Sequence, residues 1–343
     1  MIKTINAVAP IRICDLGGWT DTWFAQYGTV LNIAVYPYTE VQMKIYKNIG
    51  KNNRKIKIHA ENFGAPYEID PNNIIYDKHP LIEAAIDIMK VPKEFSFEIN
   101  LFSNAPSGAS TGTSAAITVA LIAALDLVTP GKLTPYEIAL LSHDVETVKL
   151  GQQCGIQDQI ASAYGGINFI QMTQYPHSSV SQLIIPNHTW WELERRLILI
   201  YLGKSHFSSE VHRRVIKNLE GYGPTHPILE KLRNIASLGK NSLYQADFSA
   251  FGKAMIMNNE YQRLLHPDLI SSDADSVIQV AKKNGAIGWK VNGAGGSGGS
   301  LTILSGPDAS SKRKIIREVE DLNAGFKNIP MYISRFGLRT WKC

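Results

Sequence analysis

Four stretches of this 343-residue chain hold side chains whose types and spacing could do chemistry. The first is Ala9–Asp21. Arg12 lies there among apolar residues, and a buried Arg needs a carboxylate or phosphate partner. Gly17-Gly18 follows and makes a turn that presents Thr20 and Asp21. A structural salt bridge with an Asx turn would leave the same trace. The second stretch is Pro106-Ser107-Gly108-Ala109-Ser110-Thr111-Gly112-Thr113-Ser114-Ala115-Ala116. Its small residues let backbone wrap close to a ligand, and the helix start behind it offers free N–H groups to an anion. Thr113 and Ser114 add hydroxyls for a phosphate or a metal, although a plain strand-to-helix turn with an N-cap reads the same way. The third stretch pairs Glu146 with Asp158, twelve residues apart, a set that could serve Mg²⁺ and accept a proton. An exposed helix Glu and a helix-capping Asp are the ordinary alternative. The fourth is Asn292–Ser300, with five glycines in nine residues. So costly a sequence in chain entropy needs a reason in backbone shape or in closeness to a ligand.

Two familiar nucleotide signatures fail on context. Gly293, Gly295 and Gly298 form a G-x-G-x-x-G, but a dinucleotide fingerprint opens a helix, and Leu301–Leu304 reads as a strand. Gly203-Lys204-Ser205 supplies the end of a P-loop, but Ile198 stands where its first glycine belongs.

The elements that must position these groups follow from periodicity and punctuation. Thr29–Tyr38 and Phe95–Phe102 read as strands. Val41–Tyr46 and Lys55–His59 alternate like two half-buried strands, which makes the basic loop between them (Lys47, Lys51, Arg54) the tip of a solvated hairpin. Thr113–Val128 is apolar on nearly all sides and is expected as a buried helix. Thr134-Pro135-Tyr136-Glu137 is an N-cap, a Pro at the first position and a capping-box Glu, with Gly151 as the stop. A break across Tyr175–Trp190 suggests a domain boundary. Leu197–Leu202 follows as a strand. Helices are expected over Ser209–Leu219, His226–Leu238, Asp247–Leu265 and Ser271–Asn284, and strands over Ile287–Val291 and Leu301–Leu304.

Composition narrows the function. Apolar residues make up 44% and charged ones 19%, a globular usage. The net charge of +5 is too small to argue for nucleic acid. No apolar run reaches the length of a membrane span. The N-terminal residues lack a signal-peptide core, and three scattered cysteines without a CxxC fit a reducing compartment, so a cytoplasmic protein is expected.

Taken together and in this order, the four stretches resemble the galactokinase–homoserine kinase–mevalonate kinase–phosphomevalonate kinase family, the GHMP kinases. Arg12–Asp21 resembles the first motif of the sugar-kinase branch, Pro106–Ala116 the phosphate loop, Glu146–Gln159 the metal and base segment, and Asn292–Gly299 the third motif. The continuation Ala161–Ile170 looks most like bacterial D-glycero-D-manno-heptose 7-phosphate kinases. The Gly-Gly-Trp-Thr-Asp run is also similar to fucokinase-type enzymes, which makes a neutral-sugar 1-kinase the alternative. A catalytically silent homologue usually lacks Asp158, Arg12 or Glu146, and all three are present. Ser110 stands where the first loop glycine of the family sits, so the loop is expected to turn slightly differently. His206 stands about where heptose kinases often carry Arg.

The resemblance implies a two-domain α/β plus α+β fold. Residues 1–185 would form an N-terminal domain with a left-handed βαβ crossover that binds ATP and Mg²⁺. Residues 186–343 would form a ferredoxin-like C-terminal domain on the substrate side. It implies an ATP-dependent kinase that phosphorylates a sugar or sugar-phosphate hydroxyl, most readily the anomeric one, without nucleic-acid or membrane partners. Asp158 and Arg12 would be catalytic. Pro106, Gly108, Ala109, Ser110, Thr111, Gly112, Thr113 and Ser114 would hold the nucleotide, and Ser114 and Glu146 the metal. Thr20, Asp21, Gly293, Gly295, Gly296, Lys204 and His206 would hold the acceptor, with Ser205 and Arg213 beside Lys204 as further candidates for a second anion site.

Overall fold

The computed structural model describes residues 3–47, 55–204, 208–219 and 223–343. Among them, the first half of the chain builds one mixed sheet. Its members are β1 (Lys3–Leu16), β2 (Gly28–Lys47), β3 (Ile56–Ala60), β4 (Tyr67–Ile69), β5 (Phe95–Ser103), β6 (Ile167–Gln174) and β7 (His177–Gln182). Its helices are α1 (Pro80–Met89), α2 (Thr113–Asp126), α3 (Pro135–Asp144) and α4 (Gln157–Tyr164). The second half holds α5 (Asn187–Arg196), β8 (Leu197–Tyr201), α6 (Ser208–Leu219), α7 (Pro227–Tyr244), α8 (Phe248–Leu265) and α9 (Ser272–Lys283). It ends with β9 (Ala286–Val291), β10 (Ser300–Ser305), α10 (Ala309–Leu322), β11 (Lys327–Asn328) and β12 (Arg339–Lys342).

The path of the first sheet is β12-β1-β2-β5-β3-β4, with β6 on β2 and β7 on β6. β3 and β5 are parallel neighbours joined through α1, a βαβ unit inside a mostly antiparallel sheet. The second sheet runs β11-β8-β10-β9, antiparallel throughout. In chain order that is 4-1-3-2 of a βαββαβ unit, the ferredoxin-like arrangement. The last strand, β12, leaves this unit and pairs with β1 of the first sheet.

Two expected strands prove to be one. β2 runs unbroken for 20 residues, buried on both faces at its start and alternating from Tyr36 onward. The change of pattern marks where cover ends: α7 packs on β2 and on β1, which loses its own alternation beyond Val8. The expected hairpin between Val41–Tyr46 and Lys55–His59 is corrected as well. β5 inserts between those strands, so they are not partners. Lys51 and Arg54 of the basic loop lie outside the described residues.

α2 is buried from Ala115 to Asp126 apart from Ile117. Its Leu and Ile side chains each contribute about 1.5–3 kcal/mol of apolar burial. α3 shows the complete capping box: the Thr134 hydroxyl accepts from the Glu137 N–H, and the Glu137 carboxylate accepts from the Thr134 N–H. This helix runs on as a π-turn, Val145–Lys149, before Gly151 at φ +62°. Such turns are frequent at functional sites, and this one carries Glu146.

Candidate active site

A bulge does the first positioning. β1 pairs with β2 in regular register up to Pro10, shifts there, pairs again over Ile11–Ile13, slips a second time, and resumes at Leu16. Cys14, at φ +53°, takes the strain of the slip. The bulge re-aims Arg12 and Asp15 into a cavity of about 410 Å³. Arg12 grips Asp158 with a fork: Nε donates to Oδ1 at 2.7 Å and Nη2 to Oδ2 at 3.0 Å. Nη1 donates to the carbonyl of Ser110, and the Arg12 N–H donates to the Thr111 carbonyl at 2.9 Å. The guanidinium is thus buried between the Pro106–Ala116 loop and α4.

Asp158 is the second residue of α4, and Asp21 sits at the start of the same helix. The Gln157 N–H, which has no partner within the helix, donates to Asp21 Oδ2 at 3.1 Å. Asp21 is 2% exposed, and a Cβ on Gly155 would stand 2.0 Å from its Oδ2. That position must therefore be glycine. Glu146 accepts from Gln159 Nε2 at 2.7 Å.

The Pro106–Ala116 loop has three left-handed residues in five: Gly108, Ser110 at φ +57°, and Gly112 at φ +72°. Ser110 thus takes the left-handed conformation that ordinarily favours glycine. No side chain caps α2, and Thr113, Ser114 and Ala115 line the cavity, so the helix start offers its N–H groups to an anion. A Cβ on Gly112 would sit 3.2 Å from the Asp158 carboxyl.

The electrostatics show what the cavity lacks. Four carboxyl groups, Asp15, Asp21, Glu146 and Asp158, surround it, against two cations, Arg12 in its wall and Lys290 behind it. Burial pushes the Glu146 carboxyl up to about 7, and the charge of Asp158 adds to the effect, against the Gln159 amide. Burial likewise raises Asp21 to about 6, against the Gln157 N–H, with Asp158 adding to the rise. Burial works against the charge of Arg12, but Asp158, Asp15 and Asp21 outweigh it and hold the guanidinium above its ordinary range. This donor set fits a hard divalent cation accompanied by phosphate oxygens. Among the described residues no three acidic, His or Cys side chains cluster as a complete metal cage, and Mg²⁺ does not need one.

The structure brings most of the expected residues to one place. Arg12, Asp21, Gly108–Ser114, Glu146, Asp158 and Gly293 all line the cavity. Pro106 stands back and turns the loop by accepting from the Ala109 N–H at 3.3 Å. Thr20 is wholly buried, and its hydroxyl is spent within the turn on the Gly17 and Thr29 carbonyls. Gly295 and Gly296 pack on Leu269: the Gly296 N–H donates to its carbonyl at 3.0 Å, and a Cβ on Gly295 would stand 2.1 Å from the same oxygen. Lys204 is away from the cavity, with its ammonium on Asp273 at 2.9 Å. Arg213 is exposed on α6, while Ser205 and His206 lie outside the described residues.

Sequence reasoning passed over Asp15, Lys290, Asn292 and the two glutamines. Asn292 ties three motifs together. Its Oδ1 accepts from the Cys14 N–H at 2.9 Å, its Nδ2 donates to the Ser300 hydroxyl, and that hydroxyl donates to the Ala109 carbonyl at 2.6 Å. One signal was legible: a lysine at position 290 inside an apolar strand calls for a buried partner.

With this geometry in view, comparison with known proteins is direct. Residues 80–166, from α1 through α4, match the model of the GHMP kinases N terminal domain. That segment is a GHMP kinase N-terminal domain, and GHMP kinases take a phosphoryl group from ATP. Over 99% of its length it is 24% identical to the whole of a D-glycero-alpha-D-manno-heptose 7-phosphate kinase of Campylobacter jejuni. Over 91% of its length it is 25% identical to a bifunctional fucokinase/GDP-fucose pyrophosphorylase of Arabidopsis thaliana, covering 31% of that protein. Its fold matches a crystal structure of a D-glycero-D-manno-heptose 1-phosphate kinase from Bacteroides thetaiotaomicron with a TM-score of 0.76, over 99% of both chains at 22% identity.

Proposed function

We propose, for this ATP-dependent sugar kinase, D-glycero-D-manno-heptose 7-phosphate as the acceptor and its anomeric hydroxyl as the attacking group. The observation that carries the reading is the forked Arg12–Asp158 pair set directly against the N-terminus of α2. Phosphoryl transfer is mostly positioning and charge neutralisation, and these parts supply both. The α2 start and the Gly108–Ser114 backbone hold the triphosphate. Ser114 and Glu146 would hold Mg²⁺, which supplies charge neutralisation for the phosphates when bound. Asp158 keeps 26% of its side chain exposed. A carboxylate has about four lone-pair sites, so the Arg12 fork leaves room for a hydroxyl proton. As the hydroxyl oxygen bonds to the γ-phosphorus and the bond to ADP breaks, that proton passes to Asp158, while Arg12 balances the charge. Asp21 takes acceptor hydroxyls.

We also propose residues 1–185 as the nucleotide and metal unit and 186–343 as the acceptor side, its last strand tied back to β1. The free cysteines Cys14, Cys154 and Cys343 support a cytoplasmic setting. No helix among the described residues is long and apolar enough to cross a membrane.

One observation favours a neutral acceptor instead. Among the described residues lining the cavity the sole cation is Arg12, and it is committed to Asp158. The first reading therefore assigns an acceptor phosphate to the Lys204–Arg213 segment. An ADP-release assay over free sugars and their 1-, 6- and 7-phosphates decides. Preference for the heptose 7-phosphate, with a raised KM for it and an unchanged KM for ATP in Lys204→Ala, supports the first reading. Equal rates on free sugars support the second.

A further inference from the structure

From the cavity wall at Asp15 back to Lys290 runs an ion pair that the transfer mechanism does not use. Lys290 has no exposed surface, and its Nζ stands 3.3 Å from Asp15 Oδ1, itself 1% exposed. The same ammonium donates to the Val291 carbonyl at 2.5 Å. Asp15 Oδ1 in turn accepts from the Gly293 N–H at 3.0 Å. Gly293 is in contact with the working guanidinium: a Cβ there would stand 3.0 Å from Arg12 Nη2 and 3.0 Å from the Ser110 carbonyl oxygen. One carboxylate thus ties the strand before the Asn292–Ser300 loop, the first residue of its turn and the β1 bulge that aims Arg12. Burying two charges is expensive, and a well-packed apolar pair of similar volume would often hold a fold as well. A pair kept here must earn its place by something other than stability.

We infer that Asp15 and Lys290 form a buried latch that seats the Asn292–Ser300 loop against Arg12 and so sets the angle of the Arg12–Asp158 fork. Both are positioning residues: Lys290 acts through Asp15, and Asp15 through the Gly293 amide and the charge it places beside Arg12. The inference rests on the kinase reading for its kinetic arm and on geometry alone for its structural one.

A double-mutant cycle tests it, with full-length Lys290→Met, Asp15→Leu and the double variant. Each single change leaves a buried charge alone and should lower the melting temperature. The double change removes both charges and should recover most of that loss. Turnover should separate from stability. With D-glycero-D-manno-heptose 7-phosphate and MgATP, the double variant should stay about 10–100-fold below wild type in kcat with an unchanged KM for ATP, the penalty of a displaced reacting group. Hydrogen exchange across Ala286–Ser300 should be at least about tenfold faster in the double variant than in wild type, whichever acceptor the enzyme uses. A double variant that regains both melting temperature and kcat, or whose loop exchanges like wild type, overturns the latch and leaves a purely structural pair. If wild type phosphorylates no sugar at all, the functional reading fails, and the exchange measurement still decides the latch.

Discussion

Two glycine-rich loops flank one guanidinium, and they use their glycines for opposite ends. In Pro106–Ala116 the left-handed residues curl backbone around an opening, and the uncapped start of α2 faces that opening. In Asn292–Ser300 the glycines let backbone touch backbone. Gly295 meets the Leu269 carbonyl and Gly298 the Lys204 carbonyl, each closer than any Cβ would allow. Gly299 donates to Lys204 O at 3.1 Å. The first loop leaves hydrogen-bond donors for a ligand, and the second consumes its own within the fold. A count of glycines cannot tell these uses apart; where the N–H groups end up can.

The contrast yields predictions that differ in kind as well as size. The largest concerns the carboxylate that both loops converge on. Asp158→Asn should cut kcat by about 10²–10⁴ while ATP still binds in a calorimeter. Turnover at the wild-type rate would remove Asp158 from the proton path and with it the common focus of the two loops.

Next come matched insertions. Gly112→Val should abolish ATP binding, since the branch would crowd the Asp158 carboxyl at a φ of +72°. Gly298→Val, at φ +129° and against the Lys204 carbonyl, should act first on stability, lowering it by more than about 2 kcal/mol in urea unfolding. Loss of ATP affinity in a well-folded Gly298→Val protein would erase the distinction between the loops.

Acidity sharpens the ligand-facing side. Glu146, facing the first loop, is raised to about 7 by burial, so the folded protein binds more protons than the unfolded chain between about pH 4.5 and 7. Stability without metal therefore falls as pH rises through that window. Glu146→Gln escapes this loss. In chelator it should melt above wild type at pH 8 and alongside it near pH 4.5, while requiring more Mg²⁺ for turnover. Identical pH dependence of melting in the two proteins would return Glu146 to an ordinary helix surface.

The smallest effect belongs to Ser110. A serine at φ +57° carries a left-handed cost that glycine avoids, offset in part by the greater freedom of glycine in the unfolded chain. Ser110→Gly should stabilise the protein by up to about 1 kcal/mol and leave ATP affinity unchanged. A fall in affinity would mean that the serine hydroxyl, and not the loop shape alone, serves the nucleotide.

Much of this was written locally in the chain. The buried character of α2, the Thr134–Glu137 cap and the stop at Gly151 depend on residues a few positions apart, so spacing alone determined them. The four chemical stretches were legible for the same reason: an anion cradle, a helix start and a pair of carboxylates are short-range patterns. What the tertiary structure decided was everything that depends on cover and on partners distant in sequence. β2 read as two strands because it is buried on both faces at its start and alternates only from Tyr36 onward. The hairpin expected across residues 41–59 dissolved because β5, about 40 residues further on, takes the place between its strands. Thr20 looked like a substrate residue, but its hydroxyl is consumed by Gly17 and Thr29. The pairing of Asp15 with Lys290 was silent because they are 275 residues apart, and nothing in either neighbourhood says which charge will neutralise the other. Periodicity records which face of an element is apolar; only the assembled fold determines what covers that face and which buried charges meet.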